Sequence, residues 1–367
     1  MTVDKHNPEH ITAIAGKIGS SDRLALSEDR LRVAFLFPFN YHDDGSQAAD
    51  LLVTHLSTEG KLRLVAANKP VPKHRIFAYL QGLAGVWSQT QKAEVLLVRL
   101  RGLSDLLTHW FPVLVAAKIN HRRVVGLFEF SSNLWQQPFL SRIVYDLLRG
   151  ADGLVSPTEW QAAALHRIGL RATVIPPVQS AAVGAPFSSV QPHIGLWLSK
   201  ESRTELGRIL QSFHLVKQKY PRAELTIFAA GNLTEFIESA ISESGMHLGA
   251  GVHHDIIDRP TQLQQWDTAI CLGADSAFPA DLLAAWRVGA PVLVPAYSLV
   301  SSMVRDRYNG LIYSSYGAGS LADTIVELIE NPSLVQQLST QGLKESDAFD
   351  WPALRQRWWS VLASPSM

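Results

Sequence analysis

Short apolar runs alternate with longer amphipathic stretches along most of this chain, and that alternation restricts its fold more than any other feature. Residues 32–37, 63–67, 95–99, 124–128, 153–156 and 173–175 read as strands, with helical patterns between them, notably over 76–87, 103–119 and 140–150. A second series begins at His193, with strands at 194–198, 224–229, 268–272, 291–295 and 311–313. Its helical patterns fall at 205–220 and 233–244, with closing helices at 321–329, 333–342 and 351–362. Strands separated by helices imply parallel neighbours, because the helix carries the chain back to the starting edge of the sheet. The aperiodic Gln/Ser/Ala/Gly/Pro segment 178–192 reads as a linker between the two series. The expectation is an α/β chain of two Rossmann-like domains, each a doubly wound parallel sheet, facing a cleft. Its divisions are a polar extension (1–30), an N-terminal domain (31–177), the linker, a second domain (193–345) and a closing segment (346–367).

A length of 367 residues, 47% hydrophobic, is enough for two such cores. Lys+Arg and Asp+Glu balance at 33 each, which gives no reason to expect nucleic acid as a partner. The single cysteine, Cys271, excludes an intramolecular disulfide and a Cys-based zinc site, and it suits a reducing cytosol. The first 30 residues lack an apolar leader, and no run of 18 apolar residues occurs, so a cytoplasmic location is expected. Among the 13 histidines the one tight cluster is His253-His254-Asp255. Adjacent strand residues point to opposite faces, so no metal site is expected there.

Two loop–helix junctions are candidate anion sites. Between the strands at 268–272 and 291–295, Phe278-Pro279-Ala280-Asp281 forms a helix entrance, and Gly289 ends that helix. A helix start beside a strand end offers backbone N–H groups and the positive end of a dipole to phosphate. An ordinary buried helix between two strands would show the same local pattern. In the first series, Asp44-Gly45-Ser46 lies between strand and helix, with Gly45 either admitting a phosphate or making a simple turn.

From Asp152 onward the chain resembles the GT-B glycosyltransferases, specifically the retaining nucleotide-sugar enzymes of family 4. The residues carrying the resemblance are Ala151 to Trp160, Thr173-Val174-Ile175-Pro176-Pro177-Val178, Leu206 to Phe213 with Tyr220-Pro221, Gly289-Ala290-Pro291-Val292, Asn309-Gly310-Leu311 and Phe349-Asp350-Trp351. It covers residues 150–362 well and 31–149 loosely. It implies a GT-B architecture, a last helix crossing back onto the first domain, and transfer of a sugar from a nucleotide diphosphate to a saccharide or lipid-linked acceptor in polysaccharide or cell-envelope glycan synthesis. No cofactor or metal is implied beyond the nucleotide-sugar co-substrate.

Several positions depart from the family pattern. The glutamate pair that flanks the phosphate-binding helix entrance is replaced by Ser276 and Ala284, with Asp275 and Asp281 nearby as candidate stand-ins. The Arg and Lys that clamp the diphosphate fall near Ser199 and Thr204, one residue from Lys200 and Arg203. Ser298 to Ser302 replaces a Gly-Gly-x-x-Glu element, and Phe128 replaces a donor-contacting histidine, leaving Glu129 as the candidate acid or base. Ser46 stands for a second glycine in the first loop. The implied donor-diphosphate residues are therefore Gly45, Ser46, Lys200, Arg203, Phe278, Pro279 and Ala280, and the donor sugar and nucleotide region comprises Asp275, Ser276, Asp281, Ala284, Ser298 and Ser302. Loss of the glutamate pair keeps a second expectation open, a catalytically inactive GT-B subunit that binds a nucleotide sugar or a partner glycosyltransferase. His121-Arg122-Arg123 and Trp110-Phe111 suggest peripheral contact with the inner face of a membrane.

Overall fold

Val33 to Leu36 and Val95 to Val98 are each exposed by 1% or less, so the leading strands are covered on both faces, as a parallel sheet between helical layers requires. The computed structural model describes residues 31–36, 46–58, 62–67, 86–88, 90–100, 102–129, 138–179, 184–187, 193–199, 202–229, 233–245, 250–253, 266–273, 278–314 and 316–363. Expectations placed on 1–30, Gly45, Lys200, His254-Asp255, Asp275 and Ser276, and most of the helix expected over 76–87, lie outside these residues.

The first sheet comprises β1 (Leu31–Leu36), β2 (Leu62–Ala67), β3 (Val95–Leu100), β4 (Arg123–Phe128), β5 (Gly153–Ser156) and β6 (Thr173–Val174), in the spatial order β2-β1-β3-β4-β5-β6. All its pairings are parallel. Helix α1 (Ser46–Thr58) follows β1. After β3 the chain makes a turn of helix (Leu103–Asp105), a π-helical turn (Leu106–Trp110) and α2 (Phe111–Ile119). Helices α3 (Pro138–Leu148) and α4 (Glu159–Arg167) complete the series, and the Thr158 side chain caps α4 by accepting from the Gln161 N–H. Trp110, expected at a lipid surface, is instead fully buried, and its indole N–H donates to the Leu147 carbonyl at 2.8 Å. The π turn accounts for the difference, since one extra residue in the turn rotates the ring onto the sheet.

The second sheet comprises β7 (His193–Leu198), β8 (Glu224–Ala229), β9 (Ala250–His253), β10 (Thr268–Ile270), β11 (Val292–Pro295) and β12 (Leu311–Tyr313), in the order β12-β11-β10-β7-β8-β9 and again parallel. The sequence pattern does not announce β9, because Ala-Gly-Val-His offers neither a run nor an alternation. The helices are α5 (Leu206–Lys219), α6 (Thr234–Glu243), α7 (Ala280–Val288), α8 (Ala318–Glu330), α9 (Pro332–Ser346) and α10 (Trp351–Leu362). Both orders are doubly wound: the direction of winding reverses between β1 and β3 in one sheet and between β7 and β10 in the other.

Trp351, Leu354, Trp358 and Leu362 of α10 pack with Val33, Phe35, Leu97 and Val125 on one face of the first sheet. Arg123 fastens the end of α10 by donating to the carbonyls of Leu362 and Val361 at 2.6 and 3.1 Å. Before α10, the Gln179 N–H donates to the Phe349 carbonyl at 3.0 Å, bringing two separate stretches of chain side by side.

Candidate functional site

Open α/β sheets bind ligands beyond the carboxyl ends of their strands, where the winding reverses. In the second sheet that place is defined by the loops after β7, β10 and β11. The loop after β7 is closed by two serines: the Ser199 N–H donates to Ser202 Oγ at 3.0 Å and the Ser202 N–H to Ser199 Oγ at 3.2 Å. Arg203 follows, exposed, at the start of a short 3-10 turn (Arg203–Glu205) that leads into α5. The loop after β10 passes through Gly273, whose φ of +56° and close approach to Val300 leave no room for a side chain. Val300 belongs to the 3-10 turn after β11 (Leu299–Met303), so the β10 and β11 loops touch.

The β7 and β11 loops are joined by residues that the sequence reading passed over. Tyr297 hydrogen-bonds Glu205, and burial together with that carboxylate raises the phenol above its ordinary pKa. Arg208 donates to Glu205 at 2.9 Å. The i,i+3 spacing of Glu205 and Arg208 on a helix was the available signal, whereas Tyr297 carries none without the fold. These contacts tie the segment bearing Arg203 to the segment bearing Ser298 and Ser302. The two serine hydroxyls close their own turn, Ser298 donating to the Pro295 carbonyl at 2.9 Å and Ser302 to the Leu299 carbonyl at 2.7 Å.

The helix entrance expected at 278–281 is present. Pro279 is the N-cap residue of α7, and Gly289 ends the helix with φ +79°. Phe278 rests edge-on against Phe349, with ring centroids 6.2 Å apart. Part of the N-terminal donor capacity is already used, because the Leu282 N–H donates to the carboxylate of Asp281 at 2.9 Å. Asp281 thus completes the helix start itself, and its negative charge opposes a second anion there. Ala284 is buried and belongs to the apolar cluster of Leu282, Trp286 and Val292, so this glutamate position presents no polar group.

In the first sheet, Ser46 begins α1. Glu129 follows β4, and its Oε2 receives both Nε and Nη2 of Arg99 at 2.8 Å. Arg99 is 4% exposed and Glu129 is half-buried, so the candidate acid or base is one half of an ion pair. His109, in the π turn, is buried against the end of β1; burial lowers its imidazole pKa to about 4, while a hydrogen bond with the Leu36 backbone acts in the opposite direction. Among the described residues no group of three or more His, Cys, Asp or Glu is placed to hold a metal, and no helix is long and apolar enough to cross a membrane.

Residues 201–345 match the family model described as glycosyl transferases group 1. No curated protein sequence matches the chain. Among solved structures, the chain is similar to TarM of S. aureus in complex with fondaparinux, alpha-GlcNAc-glycerol and UDP (TM-score 0.62, 13% identity, covering 77% of this chain and 59% of that one). It spans, that is, 59% of the length of the TarM chain. It is similar to HepE of Anabaena in complex with UDP and glucose over 92% of its length and 100% of that chain (TM-score 0.68, 14% identity). The sucrose-phosphate synthase of Thermosynechococcus elongatus matches with TM-score 0.64 and 12% identity, over 91% of this chain and 98% of that one. The chain has a GT-B fold whose second half is related to the group 1 glycosyl transferases.

Proposed function

We propose that the chain is a retaining glycosyltransferase that moves a sugar from a nucleotide-diphosphate donor to a saccharide or lipid-linked acceptor in polysaccharide or cell-envelope glycan synthesis. The observation that carries this reading is the convergence of the β7, β10 and β11 loops at the reversal point of the second sheet, held together by Tyr297–Glu205 and by Gly273 against Val300. HepE was solved with UDP and glucose, and TarM with UDP, which supports a nucleotide donor of that kind. In this reading Arg203 and Lys200 neutralise the departing diphosphate beside the start of α7 at Phe278, Pro279 and Ala280, where the helix dipole works against the charge of Asp281. The same reading assigns Gly45 and Ser46 to the donor phosphates from the first domain. It assigns Asp275, Ser276, Asp281, Ser298 and Ser302 to the donor sugar and nucleotide region, with Ala284 buried beneath it, and gives Glu129 the part of acid or base. Closure of domains 31–177 and 193–345 about the linker (178–192) and the closing segment (346–367) would exclude water from the reacting bond.

A second reading, an inactive subunit that binds a nucleotide sugar or a partner glycosyltransferase, is favoured by Ala284 lying in an apolar cluster and by Asp281 occupying the Leu282 N–H. Titration calorimetry with UDP-, GDP- and ADP-sugars separates the two. Binding with transfer or hydrolysis is expected; binding without either supports the inactive subunit, and no binding at millimolar donor overturns both nucleotide readings. Arg203→Ala and Lys200→Ala should each weaken the donor more than about tenfold, as loss of a charged hydrogen bond does.

Peripheral membrane contact is the finer part of the proposal. Leu107, Phe111, Val115 and Ile119 form an apolar stripe along one side of the 103–119 helical stretch, exposed by 56, 50, 43 and 60%. Lys118 and His121, also exposed, lie at its end. An apolar stripe with Lys118, which also pairs with Asp152 at 3.5 Å, at its end suits the interface of an anionic leaflet. Arg122 and Arg123 contribute less than their sequence suggests, since Arg122 donates to the Thr90 carbonyl and Arg123 to the end of α10. Sedimentation with anionic liposomes should retain the wild type and release Phe111→Glu; equal behaviour of the two would remove this surface from consideration.

A further inference from the structure

The two domain cores meet at one residue of the closing segment. Phe349 packs in the apolar cluster around α7, and Trp351 packs with α10 on the first sheet, so Asp350 stands between the two cores. The linker runs alongside, since Gln179 bridges to Asp350 and donates its N–H to the Phe349 carbonyl at 3.0 Å. A rotation of one core against the other is taken up at this crossing. On its second-domain side Asp350 pairs with Arg287 of α7 at 3.4 Å, and Phe278, just before α7, rests against Phe349. The Gly184 N–H donates to the Arg287 carbonyl at 3.0 Å, and a side chain at Gly184 would collide with the Val288 backbone, so α7 holds the linker as well. On the first-domain side the Trp351 ring stacks on His55 of α1, with centroids 5.2 Å apart and planes within 9° of parallel.

The Asp350 carboxylate has a second use within reach. Asp350 is the N-cap residue of α10, with φ −78° and ψ 154°, the extended geometry from which an aspartate caps a helix. Its side chain makes no capping bond and is turned to Arg287 instead. Pro352 has no N–H, so a cap would take the Ala353 N–H, which now donates to the Asp350 carbonyl at 3.1 Å. Neither arrangement is complete. The pair with Arg287 is long, and Arg287 Nη2 has no acceptor among the described residues. Such a pair recovers its desolvation only in part, which lets a capping bond compete with it. We propose that Asp350 is a two-position latch at the domain joint. Paired with Arg287 it fixes the angle between the domains; turned onto the Ala353 N–H it releases α7 and lets the domains rotate. The latch stands on these contacts alone. That a donor at the start of α7 trips it rests on the transferase reading, because Phe278 and Arg287 set the two ends of α7 against residues 349–350.

Distances between spin labels in the full chain test the latch, with Arg167→Cys in the first domain and Glu238→Cys in the second. Both positions are exposed, and the native Cys271 is buried away from the label. Asp350→Asn keeps a capping side chain but loses the charge that holds Arg287, and Arg287→Met frees the carboxylate. Each should shift the distance distribution in the same direction, and the double variant should go no further than either alone. In Arg287→Met the Ala353 amide should also exchange with solvent about fivefold more slowly, the factor that a capping bond supplies, whereas plain loss of a buried pair would speed it. Saturating UDP should shift the wild type the same way and leave Asp350→Asn unmoved. An unchanged distribution in Asp350→Asn, or faster exchange at Ala353 in Arg287→Met, would overturn the latch. UDP that binds without moving the wild type would cut the link to the donor and leave the latch to the two variants. Failure of UDP to bind would remove the transferase reading, with the latch again decided by the variants. If Arg287→Met unfolds, Asp350→Asn decides alone.

Discussion

Each sheet places a glycine beneath a tryptophan, Gly126 of β4 under Trp110 and Gly195 of β7 under Trp266, yet the two contacts differ in tightness and in what holds the ring. A methyl group at Gly126 would stand 3.0 Å from the end of the Leu154 side chain and 3.3 Å from Trp110. At Gly195 it would fall 1.7 Å from the indole of Trp266. The Trp110 N–H donates to the Leu147 carbonyl, whereas the Trp266 N–H is buried without a partner among the described residues. Trp266 is placed by shape, wedged between Trp197 and Phe228 with ring centroids 4.6 and 5.2 Å away. The first domain also buries the Arg99–Glu129 pair and His109 beside its sheet. At these two glycines, then, one ring is held by a directional bond and the other by close steric fit, although the second domain also holds Trp286 by an indole N–H donated to the Asn309 carbonyl at 2.9 Å.

The steric side of the comparison predicts the largest effect. Gly195→Ala should cost about 3 kcal/mol or more, because a rigid, fully buried indole must move to admit one methyl group. Urea unfolding gives the value. Trp266→Leu placed in the same chain should recover part of the loss, and a double-mutant cycle without coupling would show that the contact is not the cause.

The polar side predicts a pH dependence of similar size. His109 keeps an imidazole pKa of about 4 in the folded chain because burial penalises its charged form, against an ordinary value of 6.5. Between these values the unfolded chain binds a proton that the folded chain refuses, so stability is full above pH 6.5 and falls as the pH is lowered toward 4. At 1.36 kcal/mol for each pH unit the loss reaches about 3 kcal/mol. His109→Leu should remove this slope in unfolding measured from pH 7 to pH 4. A slope that survives would assign it to the carboxylates instead.

Arg287 measures what a directional contact is worth in the second domain. At the far end of α7 it is 2% exposed and pairs with Asp350 at 3.4 Å, and its Nη2 lacks an acceptor among the described residues. Burial lowers the Arg287 pKa and raises that of Asp350, the marks of a pair that recovers its desolvation incompletely. Arg287→Met should therefore cost about 2 kcal/mol, less than breaking a well-satisfied buried pair. A loss as large as that of Gly195→Ala would mean that the second domain leans on this ion pair as much as on its steric fit.

What the sequence reveals follows the same division. Parallel sheets covered on both faces leave continuous apolar runs, so β1, β3, β4, β7, β8 and β11 can be read from local pattern, as can the Thr158 cap and the Gly289 stop. Strand β9 leaves no run, because its four residues take their place from pairing with β8. The helix entrance at Phe278 to Asp281 is legible because proline and glycine bracket it, but its self-capping by Asp281 depends on a side-chain rotamer that no pattern encodes. Arg99 reads as the polar end of an apolar strand, and only the register of β3 on β4 brings it to Glu129. Tyr297 meets Glu205 across more than ninety residues of sequence, a separation at which composition and periodicity carry no information.

The smallest expected effect gives the sharpest test of the opening contrast. At Gly126 the nearest atom to an added methyl is the tip of Leu154, which can rotate away, and the Trp110 ring stands at a distance that needs a shift of a few tenths of an ångström. Alanine also restricts the unfolded chain relative to glycine, which returns roughly 0.4–1 kcal/mol. Gly126→Ala should accordingly lose less than about 1 kcal/mol, a fraction of the loss at Gly195. The hydrogen bond from Trp110 to Leu147 is the term that could make this wrong, since a ring held by its N–H yields less readily than one held by packing alone. Trp110→Phe frees the ring from that bond while keeping its apolar contact with the strand. If Gly126→Ala proves costly in the wild type and cheap beside Trp110→Phe, then the directional bond is the stiffer of the two devices, and the contrast between the domains must be turned around.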